Sequence, residues 1–146
     1  MSNTLTLRVV HEIRDNCLCF ATQSAARRVA RRFDRAFQPL GLTNNQFSLM
    51  AALMAPRVWR IGDLANFLAM DRTSLTANLK ALERRGLVRV APDARDKRVR
   101  APALTEAGRA ALVAAEPIWR AEHAALAADI PTSDADALRS ALRRLG

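Results

Sequence analysis

The sequence holds no tyrosine, two cysteines, two histidines and five glycines among its 146 residues. Each shortage closes a route. Two cysteines, Cys17 and Cys19, are too few for a disulfide scaffold, so a reducing, cytoplasmic setting is expected. With His11 and His123 the only imidazoles and no phenol, acid–base catalysis would fall to carboxylates. Those carboxylates sit at helix caps and on helix surfaces. The glycines form no phosphate-binding loop, and neither a Ser-His-Asp arrangement nor a metal-ligand cluster is visible, so no enzyme is expected. Apolar runs stop far short of the roughly 20 residues of a membrane span. Met1 to Asp15 carries Arg8, Glu12, Arg14 and Asp15 and no continuous apolar stretch, unlike a secretory signal. Acid is scarce too: 14 acidic residues face 23 basic ones, a net charge of +9. All the basic residues except Lys80 and Lys97 are arginine. Polyanionic partners are favoured, nucleic acid first, and arginine forks onto phosphate and base edges better than lysine does.

What is present reads as a folded, mostly helical chain with one change of period. Asp15 to Leu40 reads as a helix, with Phe20, Ala26, Val29, Ala30, Phe33 and Phe37 on one face. Arg27, Arg28, Arg31, Arg32 and Arg35 stripe the rest of it, and Gly41 ends it. Such a stripe reads as a solvated face. Its other uses are to attract an anionic aromatic acid or to neutralise acids on a partner chain. Thr43 to Gln46 forms a capping box for a second helix through Leu53. Arg57 to Arg60 leaves room for a short strand at most. Gly62-Asp63 opens a short third helix, Ala69-Met70 turns the chain, and Asp71 caps a fourth helix that ends at Gly86. Val88 and Val90 then suggest a strand, Pro92-Asp93 a turn, and a second strand runs to about Leu104. Thr105 caps a long helix to about Asp129, which Pro117 should bend or break. Pro131-Thr-Ser-Asp starts a last helix with Leu138, Leu142 and Leu145 in line.

Two short helices, a tight turn and a two-stranded hairpin make a winged helix-turn-helix. The second helix of such a pair lies in the major groove. Leu75, Leu79 and Leu82 face its core side. Arg72, Thr73, Ser74, Thr76, Asn78 and Lys80 are the candidate DNA-binding residues on its outer side. Asn78 suits adenine, and the hydroxyls suit bases or phosphate. In the hairpin, Arg89, Arg95, Lys97, Arg98 and Arg100 are balanced only by Asp93 and Asp96. Arginine is the residue drawn into a narrow minor groove.

The run Asp93-Ala-Arg95-Asp96-Lys97-Arg98, followed by Leu104-Thr105-Glu-Ala-Gly108, resembles the wing signature of the MarR family of bacterial regulators, with complete agreement in spacing. Ile61-Gly-Asp-Leu-Ala65, Asp71-Arg-Thr-Ser-Leu-Thr76 and Leu82-Glu-Arg-Arg-Gly-Leu-Val88 are similar to that family's reader region. Leu40-Gly-Leu-Thr43 and Gln46-Phe47 resemble the segment leading to its second helix. The resemblance spans about residues 15 to 130. It implies a mostly α fold with a small β-hairpin wing: an N-terminal dimerisation region (1–41), a DNA-binding domain (42–104) and C-terminal dimerisation helices (105–146). It implies a homodimeric repressor on a palindromic operator of double-stranded DNA, with Arg98 in the minor groove and Asp96 bracing it. Many relatives carry a basic residue where this chain has Ala77.

The resemblance also bears on sensing. Family members commonly leave DNA when a small molecule binds or a cysteine is oxidised. Asp15 to Ala21 resembles the sensor segment of the organic-hydroperoxide-responsive branch, with Cys19 at the reactive position and Cys17 beside it. The tyrosines of that branch are replaced by Gln23, Phe33 and Asn44, and no C-terminal cysteine can resolve an oxidised sulfur. A helix start with Arg27 or Arg28 nearby suits a reactive thiol, whereas a buried small hydrophobe is the blander reading. Two residues apart on a helix, the cysteines diverge by about 200° and cannot share a zinc. A small ligand such as an aromatic acid is the default effector. Its pocket is expected where the flanking helices meet the reader domain, near Phe20, Met50, Met54, Trp59 and Trp119. A redox regulator using Cys19 is the first alternative, and a sequence-indifferent architectural DNA-binding protein the second. A membrane-surface role is not expected, because the apolar face of the first helix is needed for the core.

Overall fold

The computed structural model describes residues 5–130 and 135–146. The chain runs α1 (Leu7–Asn16), α2 (Leu18–Phe37), a 3-10 turn (Gln38–Leu40), α3 (Asn44–Ala52), α4 (Ile61–Phe67), α5 (Arg72–Arg84), β1 (Val88–Pro92), β2 (Arg100–Leu104), α6 (Glu106–Ala128) and α7 (Ala135–Arg143). No helix among the described residues is long and apolar enough to cross a membrane.

The helical starts follow from local chemistry. The Thr43 hydroxyl accepts from the Gln46 N–H at 3.2 Å while Gln46 Oε1 accepts from the Thr43 N–H at 3.2 Å, a complete capping box. Asp71 accepts from the Ser74 N–H at 2.8 Å, and Thr105 from the Gly108 N–H at 3.0 Å. Gly41 supplies the left-handed turn after α2, at φ +64°. Ala69 takes φ +50° in the turn between α4 and α5, where non-glycine residues are uncommon.

Two local expectations change, and Arg57 to Arg60, with room for a short strand at most, stays within its expectation. The helix expected from Asp15 is two helices, and the first begins at Leu7. The break is at Cys17, whose backbone is extended and whose sulfur accepts from the Phe20 N–H at 3.4 Å, capping α2. Asn16 donates back to the Glu12 carbonyl at 3.1 Å, a side-chain bond that competes with helix continuation. Arg57 to Arg60 forms no strand. Pro117 leaves α6 continuous. The carbonyl it cannot serve is that of Val113, a residue 73% exposed, so water can take the missing donor's place. The start expected at Pro131 to Asp134 lies outside the described residues.

The core lies where α2, α3, α4, α5, α6 and the hairpin meet. Phe37, Leu49, Met50, Leu64, Leu75, Leu82 and Val88 are its largest fully buried side chains. Phe37 stacks on Phe47 with ring centres 4.6 Å apart, which joins the end of α2 to α3. Trp59 is buried and donates Nε1 to the Ala52 carbonyl at 3.0 Å, which fixes the loop before α4. Arg32 pairs with Glu122 and Asp129, tying α2 to α6 within one chain. These carboxylates, Asp129 foremost, raise the Arg32 pKa. One member of the arginine stripe is therefore a tertiary contact, while Arg27, Arg28, Arg31 and Arg35 remain exposed.

Candidate nucleic-acid interface

Leu75, Leu79 and Leu82 anchor α5 by its inner face. A helix so anchored must present positions 73, 76, 77 and 80 on the opposite side, because residues three and four apart share a face. Arg72, Thr73, Thr76, Ala77 and Lys80 together line an open depression of about 410 Å³. Arg72 is steered by a neighbour. A Cβ at Gly62 would come 2.5 Å from its Nη2, so the missing side chain makes room for the guanidinium over the start of α4.

Ser74 and Asn78 are placed differently from the rest of the expected set. The Ser74 hydroxyl donates to Asp71 Oδ2 at 2.7 Å, and this bond, with the Ser74 N–H, holds the Asp71 carboxyl below the usual carboxylate range. The Asn78 amide donates to the Ser74 carbonyl at 2.9 Å and approaches the Met70 sulfur at 4.0 Å. Both side chains are half-buried. They stiffen the first turns of α5 and leave its outer face to the other members.

The wing is a two-stranded antiparallel hairpin pairing Val88 with Leu104 through to Pro92 with Arg100. Its tip is closed from within. The Asp93 N–H donates to the Val99 carbonyl at 2.7 Å, the Val99 N–H to the Asp96 carbonyl at 2.9 Å, and the Asp96 N–H to Asp93 Oδ2 at 3.2 Å. Asp96 then accepts the backbone N–H and the Nε of Arg98, both at 3.1 Å. Nη2 reaches the other carboxylate oxygen of Asp96 at 3.4 Å, and the Arg98 side chain stays 90% exposed, so it is braced from one side and open to solvent on the other. Arg98 keeps the Asp96 carboxyl below its ordinary range, with a smaller contribution from the charge of Arg60. That pairing is retained at neutral pH and lost only as pH falls through the depressed value. Arg95 and Lys97 are exposed beside it. Arg100 instead reaches back to the Val90 carbonyl at 3.2 Å. A second depression, bordered by Thr76, Lys80, Val90 and Arg100, makes one continuous surface of α5 and the base of the wing.

Three further arginines lie around this region, and only Arg85 falls within a quoted motif run. Arg60 adds positive charge near Asp96. Arg57 lies 3.9 Å over the Trp59 ring. Arg85, at the end of α5, donates to the carbonyls of Gly41 at 2.5 Å and Leu40 at 3.0 Å, fastening the helix to the turn after α2. Only the fold brings residues 40 and 85 together.

Known proteins share this arrangement. A family model described as the MarR family matches residues 42–99. The transcriptional activatory protein BadR of Rhodopseudomonas palustris is 35% identical over 123 residues, covering 82% of this chain and 70% of BadR. The chain belongs to the MarR family. Among solved structures, this MarR-family chain is similar to M. tuberculosis MosR in complex with DNA: 39% identity, 89% of this chain and 93% of that one covered, TM-score 0.79. It is also similar to the repressor CouR bound to a 23-mer DNA duplex: 29% identity, 97% and 98% covered, TM-score 0.81. The chain is thus a DNA-binding transcriptional regulator with the winged helix-turn-helix fold.

The cysteines and the pocket complete the description. Cys17 is the cap of α2 rather than part of a helix shared with Cys19, so the 200° divergence does not describe the pair. Cys19 is exposed, and Gln23 Nε2 donates to its sulfur at 3.1 Å while Arg27 donates to Gln23 Oε1 at 2.8 Å. A cavity of about 340 Å³ opens between α2, α3 and α6, with Val29, Phe33, Asn44, Phe47, Ser48 and Trp119 in its wall. Of the residues expected there, only Trp119 lines it. Met50 and Trp59 are spent in the core, and Phe20 and Met54 lie on the surface.

Proposed function

We propose that this protein is a homodimeric repressor that grips a palindromic operator and is released by a small ligand. The observation that carries the reading is the continuous surface of α5 and the wing. It offers Arg72, Thr73, Thr76 and Lys80 to the major groove and an exposed, braced Arg98 to the minor groove. Ser74 and Asn78 support the reader helix, and Arg95, Lys97 and Arg100 add charge along the backbone path. The dimer is favoured by the outermost helices. Leu7, Val10 and Ile13 on α1, and Leu138 and Leu142 on α7, are 41–76% exposed, and neither helix buries any described residue. Apolar stripes of this kind call for a cover, and a second copy supplies one. The ligand reading rests on the cavity beside Trp119, which is near the lower end of the range for small-molecule sites, roughly 300–1,000 Å³, and suits one aromatic ring. An aromatic acid fits if its carboxylate reaches out toward the arginines of α2.

The test is a gel shift on duplexes selected from random DNA, with excess competitor. Two chains per duplex and survival of the shift are expected. Binding that competitor abolishes would indicate a sequence-indifferent architectural protein instead. Arg98→Ala should weaken binding on every sequence and lower the salt slope by roughly one phosphate equivalent. An unchanged slope would remove the wing from the DNA.

A second reading keeps the DNA contacts and changes the signal. The donation of Gln23 to Cys19 supplies the sulfur with a hydrogen bond that the family's hydroperoxide-responsive branch takes from tyrosine, and favours oxidation at Cys19. Here the shift should vanish on treatment with an organic hydroperoxide and persist in Cys19→Ser. A shift indifferent to peroxide leaves the ligand reading alone.

A further inference from the structure

The outer face of α5 has an unusual chemical content for a reading surface. The Asn78 amide, the group on this helix that suits adenine, and the Ser74 hydroxyl are bonded within the protein. What remains exposed is a row of methyl-bearing positions, Thr73, Thr76 and Ala77, with Arg72 at one end and Lys80 at the other. Ala77 sits in this row with no polar atom in its side chain.

A methyl group facing the major groove has one specific counterpart there, the C5 methyl of thymine. The other edges it meets are polar. Placed against Ala77, a cytosine N4 or guanine O6 would lose water and gain no partner, which is costly. A small apolar position in the middle of the reading face therefore selects for thymine and against cytosine and guanine. The flanking cations set the frame. Arg72 and Lys80 are eight residues apart, about 12 Å along a helix at 1.5 Å per residue. That spans roughly three to four base steps at 3.4 Å each. Gly62 keeps Arg72 at its end of the frame by leaving space for its guanidinium.

We infer that each half-site carries a thymine whose C5 methyl packs against Ala77, flanked by Thr73 and Thr76, between positions faced by Arg72 and Lys80. This rests on the reading that α5 enters the major groove. It makes Ala77 a specificity-determining residue through a methyl contact.

The experiment uses the full chain and duplexes selected from a random pool. Each thymine of the selected half-site is replaced in turn by deoxyuridine, which lacks only the methyl group. At one position the replacement should weaken binding about fourfold, the worth of one buried methyl-sized group. In Ala77→Gly the thymine and deoxyuridine duplexes should bind alike at that position. Ala77→Ser, which keeps the helix and adds a hydroxyl, should also lose the preference, and serves if the glycine variant does not fold. Deoxyuridine tolerated at every position, or a penalty undiminished in both variants, overturns the assignment. Lys80→Ala separates the two levels. If it weakens binding while every deoxyuridine is tolerated, only the thymine contact falls. If Lys80→Ala and all deoxyuridines leave affinity unchanged, α5 does not face the DNA and the underlying reading falls with it.

Discussion

Phe37→Ala should lower the unfolding free energy by about 3–5 kcal/mol, the usual cost of emptying a phenylalanine site in a packed core. Phe37 has no exposed surface, stacks on Phe47 at 4.6 Å and meets Phe33 at 6.0 Å. It also occupies the last position of α2, just before the turn that Arg85 grips. Truncation leaves a cavity at a junction of three elements. Collapse is restrained there by Gly41's left-handed turn on one side and the Thr43 capping box on the other. Urea unfolding should show a lower midpoint at unchanged slope. A loss below about 1 kcal/mol would mean that the site collapses freely, against the packing described. Phe20→Ala is the natural control. That ring is 55% exposed, and in a monomeric state its removal should leave stability within about 0.5 kcal/mol.

The second large effect is expected at Gly108, in the first turn of α6. A Cβ there would fall inside the Leu87 carbonyl oxygen and 3.1 Å from Leu104 Cδ2. The obstacle is backbone, so no side-chain rotation relieves it. The same place is locked by three bonds. The Thr105 N–H donates to the Leu87 carbonyl at 3.1 Å, the Thr105 hydroxyl to the Gly86 carbonyl at 2.6 Å, and the Gly108 N–H to Thr105 Oγ1 at 3.0 Å. Gly108→Ala must push α6 away from the start of β1. The expected loss is roughly 3 kcal/mol, the upper part of the range for overpacked sites. Because the displaced segment leads into the wing, DNA binding of the folded fraction should fall as well. Equal stability and affinity in Gly108→Ala would show that the wing and α6 are not in the close contact described here.

These two sites differ in how far the sequence announces them. Gly108 belongs to the run Leu104-Thr105-Glu-Ala-Gly108, which carries the family resemblance, but its reason for being glycine is the Leu87 carbonyl, 21 residues earlier. Phe37 is visible as one point of an apolar face with period near 3.6. Its partner Phe47 is visible only as part of another helix.

Short-range chemistry was legible for a definite reason. A cap joins a side chain to an N–H three residues on, so Thr43, Asp71 and Thr105 announce α3, α5 and α6 without any tertiary help. The hairpin's arginines are likewise local, and Asp96 reaches Arg98 across two residues. Where two local tendencies competed, periodicity misled. At Cys17 the apolar rhythm continues, but the Asn16 side chain and the Cys17 sulfur both take backbone partners that end one helix and start another. At Asn78, whose polarity and position fit a reading face, the amide donates to the Ser74 carbonyl and approaches the Met70 sulfur.

By itself, then, the order of residues determined most of the helices, the hairpin, the basic wing and the family, because these depend on spacings of a few positions and on the sign of charge. The tertiary structure alone decided which arginines are spent in holding the fold and where a cavity opens. Arg32 finds Glu122 and Asp129, Arg85 finds Leu40 and Gly41, and Trp119 meets Phe33 and Phe47 across a cavity, through pairings 40 to 100 residues apart. Nothing in local propensity constrains such pairings. They are settled when the helices pack, since the path that buries Phe37, Leu49 and Leu75 together is what carries these side chains into reach.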